Sequence, residues 1–157
     1  MADLVAHRRA TAGDITITAE LARAGRAELQ DDRGGRWLLE HDSDRADPEQ
    51  IHNDALANKR ACLVVGSIDN VVVGFARAFL SNAATDTLCM IEELIVHPDA
   101  RAIGVGSEIL SGVRAWAIEN DCAAIESHVL PGNRAAKNFF ERVGMKTRKM
   151  RVSADLV

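Results

Sequence analysis

The chain has 157 residues, 47% of them hydrophobic and 27% charged, with a formal net charge of -4. Those totals suit one globular domain over residues 1–157 that buries its own core, and they exclude a disordered or collagen-like chain. They lack the basic excess of a nucleic-acid scaffold, and no run approaches the ~18 apolar residues of a membrane helix, so neither nucleic acid nor a membrane is an expected partner.

In chain order, Leu4 to Arg8 reads as a first strand. Thr11 to Leu29 reads as a helix, Ala-rich with Ile15, Ile17, Leu21 and Leu29 among polar residues. "QDDRGGR", Gln30 to Arg36, and "EHDSDRADP", Glu40 to Pro48, read as loops. Asp47 before Pro48 makes an N-cap and first-turn pair for a helix running to about Asn58. "ACLVVGSIDNVVVGFARAFL" is two apolar runs around a turn, a β-hairpin of Ala61–Ile68 and Val71–Leu80. Thr87 to Val96 is a third long strand with two carboxylates inside it, Glu92 and Glu93. Ile109, Leu110, Val113, Trp116 and Ala117 have helical spacing from Gly106 to about Glu119. Ala123 to Leu130 is a strand again, and Asn133 caps a helix that Gly144 ends. "MKTRKMRVS" alternates and is expected to close the sheet. The order predicts a sheet that mixes an antiparallel meander with one parallel strand–helix–strand unit.

The three cysteines, Cys62, Cys89 and Cys122, are widely separated in apolar surroundings. That is neither metal-ligand nor disulfide spacing, so small core residues and no metal are expected. Free thiols fit a reducing compartment, and "MADLVAHRRA" has no apolar signal core, so the expected location is cytoplasmic.

The stretch "VHPDARAIGVGSEIL" runs from the third long strand into a helix through Arg101, Gly104 and Gly106. A helix N-terminus leaves backbone N–H groups without partners, and its dipole favours an anion. Glycines let an anion approach the main chain. The stretch lacks the third glycine of a dinucleotide fingerprint and the Lys-Ser/Thr of a P-loop. A plain strand-to-helix turn remains the alternative.

"ELIVHPDARAIGVGSEIL" resembles the coenzyme-A motif of the GNAT acetyltransferase superfamily, a strand, Val-x-Pro, then Arg/Gln-x-x-Gly-x-Gly/Ala and a helix. A second block, "LPGNRAAKNFFERVGM", looks like the family's Asn-x-x-Ala segment with its aromatic pair. The resemblance covers about Thr87 to Met145. It implies a GNAT-like α/β fold, a mixed, mostly antiparallel sheet flanked by helices, with a splayed parallel strand pair forming the coenzyme A cleft. It implies transfer of acetyl from acetyl-CoA to a small-molecule primary amine by direct attack in a ternary complex. Leu94, Ile95 and Val96 would pair with the pantetheine, and the amides of Ile103, Gly104, Val105, Gly106 and Ser107 would hold the pyrophosphate behind Arg101. Asn133 would reach the pantetheine arm. Lys137 and Arg142 are candidates for the outer phosphate or the adenosine end; solvated helix charge is the other reading. A homodimer is common among similar proteins. The family often has Tyr where this chain has Phe140 in the cofactor cleft, and this chain contains no tyrosine. That departure keeps a second reading open, a catalytically weak acyl-CoA binding or sensing module.

An alkylamine, with a pKa of ~10.4, is protonated at neutral pH and must lose a proton to attack a thioester. Successive strand residues face opposite sides, so only one of Glu92 and Glu93 should point at the reaction centre unless a bulge intervenes. By the resemblance Glu92 is the base and Glu93 the second candidate; the bland alternative makes both of them edge or surface carboxylates. The leaving thiolate can be protonated by water, Ser127 or His128, with alternation leaving open which side His128 faces. An N–H near Ile95 is the oxyanion donor that the resemblance offers. His97 reads as structural, and sequence alone suggests no partner for His7, His41 or His52. The acidic loop residues Asp31, Asp32, Asp42 and Asp44 could attract a cation, with solvated loop charge the simpler reading.

Overall fold

The computed structural model describes residues 4–41 and 45–157, so Asp42 and Asp44 lie outside it. Strand β1 is Val5–Arg9, followed by a short 3-10 turn at Ala12–Asp14 and helix α1, Ile15–Leu29. The expected helix from Thr11 therefore starts later, because Asp14 folds back to accept from the backbone N–H of Thr11 at 2.8 Å and tightens the entry turn. Helix α2, Gly35–His41, falls where the sequence read as loop up to Arg36. The chain turns there through Gly34 at φ 84°. A Cβ at Gly35 would sit 1.6 Å from the Leu29 carbonyl oxygen, an approach only glycine permits. Helix α3, Pro48–Ala57, is capped as expected, with Asp47 accepting from the Glu49 N–H at 3.2 Å.

The hairpin forms as β2, Ala61–Ile68, and β3, Val71–Asn82, turning on Asp69 and Asn70 at positive φ. Strand β4 is Thr87–Val96, helix α4 Val105–Glu119, strand β5 Ala124–Ser127 and helix α5 Arg134–Arg142. The sheet order is β1-β2-β3-β4-β5, antiparallel throughout except for the parallel β4–β5 pair that α4 connects. Thus the expected mixed, mostly antiparallel sheet is present. The expected closing strand in "MKTRKMRVS" is absent: residues 145–157 have no regular structure. Met150 and Val152, the apolar positions of that alternation, are 83% and 91% exposed. No layer covers them, so pairing there would order the backbone without burying a face.

The two faces of the sheet carry separate cores. Cys62, Val64, Ala76, Ala78, Cys89 and Ile91 pack under α4 and Phe140. Leu63, Val65 and Phe75 pack on the other side under Ile15, Leu21 and Ala22 of α1. Burial pushes the Cys62 and Cys89 thiols up to about 11 and about 12, which keeps them as neutral core groups. Helix α4 lies close on the sheet at Gly66, where an added Cβ would meet Ile109 Cγ1 at 2.5 Å.

Candidate active site

The β4–β5 pairing is short. It runs from Leu88↔Ala124 to Ile91↔Ser127 and stops. On its other edge β4 stays paired with β3 as far as Gly74↔Val96. Past Ile91, the stretch from Glu92 to Val96 therefore has a one-sided strand edge. That edge leads to the α4 N-terminus, so the gap and the glycine turn form one continuous feature.

Within β4 the register shifts once. Arg77 opposes Glu93 and Ala78 opposes Ile91, so Glu92 is the extra residue of a β-bulge. The bulge reverses the facing of everything after it. Ile91 and Leu94 both reach the core under α4. Glu93 and Ile95 turn to the side of α1 and α3. Glu92 itself is exposed.

Glu93 is bound into the protein. Its Oε2 accepts from Arg77 Nε at 2.9 Å and lies 3.2 Å from His52 Nε2. Burial pushes the Glu93 carboxyl up, but the His52 hydrogen bond and the Arg77 charge outweigh it, and the net shift is downward. His52 is fully buried, with Nδ1 2.9 Å from Thr18 Oγ1 and its ring against Phe75. The sequence held a signal for this: Pro48, Ile51, His52 and Ala55 form the buried stripe of α3, and a histidine in such a stripe needs polar partners.

The glycine turn has the geometry of an anion cradle. Gly104 is the N-cap of α4 at φ 99°, with no side chain capping the helix. The first-turn amides of Val105, Gly106 and Ser107 thus open outward beside the exposed Ile103. The Arg101 side chain is turned elsewhere. Its Nε donates to the Val96 carbonyl at 2.9 Å, and one terminal nitrogen sits 3.0 Å from both carboxylate oxygens of Glu28 in α1. It ties the turn to β4 and to α1. Gly106 meets the Phe139 ring, whose edge lies 3.2 Å from where a Cβ would stand.

Asn133 caps α5, its Oδ1 accepting from the Ala136 N–H at 3.0 Å. Lys137 forms a loose pair with Glu141 at 3.7 Å, and Arg142 is exposed in the last turn of α5. Phe140 is buried in the core, edge-on to Phe139. His128 is exposed just past β5, and Ser127 Oγ donates to the Ile91 carbonyl at 3.4 Å. His97 caps the turn at Pro98–Ala100, accepting from the Asp99 N–H. His7 lies 2.7 Å from Glu108 and His41 3.1 Å from the Trp37 carbonyl oxygen, partners that the sequence did not suggest. Among the described residues no group of three or more His, Cys, Asp or Glu could hold a metal, and no helix is long and apolar enough to cross a membrane.

Comparison with known proteins gives the chain a family and a shared fold. The model of the "Acetyltransferase (GNAT) family" matches residues 24–145. A "Probable N-acetyltransferase camello" of Xenopus tropicalis is 30% identical over 113 residues, 72% of this chain and 51% of that protein, so the chain spans about half of that relative's length. Among solved structures, an aminoglycoside N-acetyltransferase, AAC(6')-Iy, in complex with CoA superposes with a TM-score of 0.76 at 15% identity, covering 100% of this chain and 98% of that one. A structure described as a transcriptional regulator from Bacillus halodurans C-125 superposes with a TM-score of 0.72 at 22% identity, covering 98% and 100%. At such identities these two show a shared fold.

Proposed function

Because the chain belongs to the GNAT acetyltransferase family, we propose that it is an acetyl-CoA-dependent N-acetyltransferase acting on a primary amine of a small molecule, with residues 1–157 as one such domain. The observation that carries this reading is the continuity between the one-sided edge of β4 and the uncapped α4 N-terminus. Between Leu94 and Val96 the edge offers its outward main-chain groups, which alternate with the groups of Ile95 that face β3, to a pantetheine arm in the manner of an added strand. The turn offers the amides of Ile103 through Ser107 to a pyrophosphate. With Arg101 held by Val96 and Glu28, that grip rests on the main chain, and Arg101 fixes the shape of the turn. Asn133 spends its oxygen on α5, which leaves Nδ2 to donate to the arm. Lys137 and Arg142 are the candidates for the outer phosphate or the adenosine end, and Phe140 backs the cleft from the core through its contact with Phe139.

The reaction takes two protons from the acceptor's ammonium, one before attack and one after it, and exchanges one bond. Glu92, exposed at the bulge where β5 leaves β4, takes the first proton from the acceptor's ammonium, directly or through water. The nitrogen then forms its bond to the thioester carbonyl carbon, with an outward main-chain N–H of the β4 edge near Ile95 as oxyanion donor. The carbon–sulfur bond breaks and the sulfur leaves as thiolate. A thiol pKa of ~8.5 makes that departure tolerable near neutral pH. The nitrogen sheds its second proton as the intermediate collapses to the amide, and water, Ser127 or His128 delivers a proton to sulfur. The complex with CoA named for the structural neighbour supports the donor, and its description as an aminoglycoside acetyltransferase supports a small amine acceptor. Buried, neutral thiols at Cys62 and Cys89 suit a reducing, cytoplasmic setting, and a homodimer is the assembly we assign on family likeness.

The test is to mix the protein with acetyl-CoA and a panel of amines and follow free thiol. Turnover with at least one amine is the expected result. Tight acyl-CoA binding without transfer to any amine favours the second reading, an acyl-CoA binding or sensing module, for which the buried Phe140 and the absence of tyrosine speak.

A further inference from the structure

Four side chains from four elements meet beneath the bulge. Thr18 of α1, His52 of α3, Glu93 of β4 and Arg77 of β3 form one hydrogen-bonded chain, with distances of 2.9, 3.2 and 2.9 Å along it. The order hydroxyl, imidazole, carboxylate is that of a nucleophile with its base. Thr18 and His52 are both 0% exposed, however, so the hydroxyl meets no substrate. The chain must act on the protein itself.

Hydrogen accounting shows how. An ionised carboxylate only accepts, so His52 Nε2 carries the hydrogen in the bond to Glu93. On the other side of the ring Nδ1 lies 2.9 Å from Thr18 Oγ1, whose single hydrogen is also in reach of the Ile15 carbonyl at 3.2 Å. Arg77 supplies the charge. Both bonds to Glu93 fall on Oε2, and its side chain is 11% exposed. A carboxylate this buried is tolerable only while such partners are present.

Register explains why the partners matter. In an unbulged strand Glu93 would face the same side as Ile91, into the apolar core under α4. The bulge at Glu92 instead delivers Glu93 to Arg77 and His52. It stands next to the last β4–β5 pair, Ile91↔Ser127, beyond which the cleft opens.

We propose that Glu93 is the anchor of the β4 bulge, and that Thr18, His52 and Arg77 are positioning residues that hold it there, thereby setting the direction of Glu92 and the edge from Leu94 to Val96. This gives the adjacent glutamates different roles, one exposed and reactive, the other fixed and silent. It rests on the acetyltransferase reading for its kinetic consequence but not for its structural one.

The experiment uses the full chain and has two readouts. The first is amide hydrogen exchange, which needs no acceptor. His52→Leu is expected to speed exchange at residues 92–96 while the β2 amides stay protected, and His52→Gln, whose amide can donate to Glu93, restores most of the protection. Unchanged exchange in β4 overturns the proposal, whether or not any amine is acetylated. If His52→Leu does not fold, Thr18→Val, which keeps the shape and removes the hydroxyl partner of Nδ1, carries the same test. The second readout is kinetic. Misplacing a reacting group by about an ångström costs on the order of a hundredfold, so His52→Leu and Glu93→Gln lower kcat/KM by about tenfold to a hundredfold. The shape of the pH–rate profile, set in part by Glu92, persists in both. If Glu93→Gln changes that shape as Glu92→Gln does, Glu93 is itself the base and the anchor role is overturned.

Discussion

Asp14 accepts from Arg8 Nη1 and Nη2 at 2.6 and 2.9 Å, and from the Thr11 N–H and hydroxyl. The Arg8 hydrogen bonds outweigh burial and hold its carboxyl down at about 2. A carboxyl lowered on folding stabilises the fold above its unfolded pKa, and that contribution is lost as pH falls through the folded value. Asp14→Asn should therefore cost about 2 kcal/mol at neutral pH, and the gap to the parent should close between about pH 4 and pH 2 in denaturant melts read across pH. At Glu92 the expectation is kinetic. Glu92→Gln should lower kcat/KM by about 10²–10⁴-fold and shift its pH profile; a profile unchanged in shape would remove Glu92 from the base role. Phe140→Tyr keeps the ring volume, and acetyl transfer should rise or stay level, as followed by thiol release. These roles were only partly legible in the sequence. Glu92 and Glu93 stood out as acids in an apolar strand, but which one faces where depends on a single unpaired residue against β3, and register is not written in local composition.

The elements that the sequence announced are those whose pattern is closed within themselves. The hairpin of β2 and β3 carries its own turn, and α4 and α5 carry periodic apolar faces and caps. Helix α2 was hidden because its start depends on Gly35 lying against Leu29, a contact between segments that composition marks only as loop. Strand β5 ends earlier than its apolar run suggests because its neighbour bulges away. Close approach also sets how α4 rests on the sheet. Gly66→Ala would drive a Cβ into Ile109 and Val105, 2.5 and 2.9 Å away. Overpacking of this kind costs about 1–3 kcal/mol, seen as a lower denaturation midpoint with an unchanged slope. At the other end of the same helix–sheet unit, Gly104 has nothing near its added Cβ, and its positive φ alone is the constraint. Gly104→Ala should therefore cost about 1 kcal/mol in stability while weakening acetyl-CoA binding, because the cradle and not the core carries the strain.

For the whole molecule, a ligand that binds only the folded state must stabilise it. Acetyl-CoA at a hundred times its Kd should add about 2.7 kcal/mol, visible as a rise in melting temperature; no rise at saturating concentration would leave the glycine turn as a plain connection. The sheet order followed from the order of elements, whereas the fate of the last residues did not: a strand forms only where a neighbour and a covering layer exist, and that is a property of the assembled molecule. The chain still turns back on itself there, since Arg151 lies over the Trp37 ring at 5.2 Å. With two tryptophans and no tyrosine, the near-ultraviolet emission of this protein has only two sources. Trp116, 6% exposed under the sheet, should emit as a buried indole and follow global unfolding. Trp37, stacked on His41 and roofed by a guanidinium, watches α2 and the last residues. In Trp37→Phe and Trp116→Phe the two signals separate, so the molecule comes with one optical gauge for its core and another for α2 and the last residues that meet it.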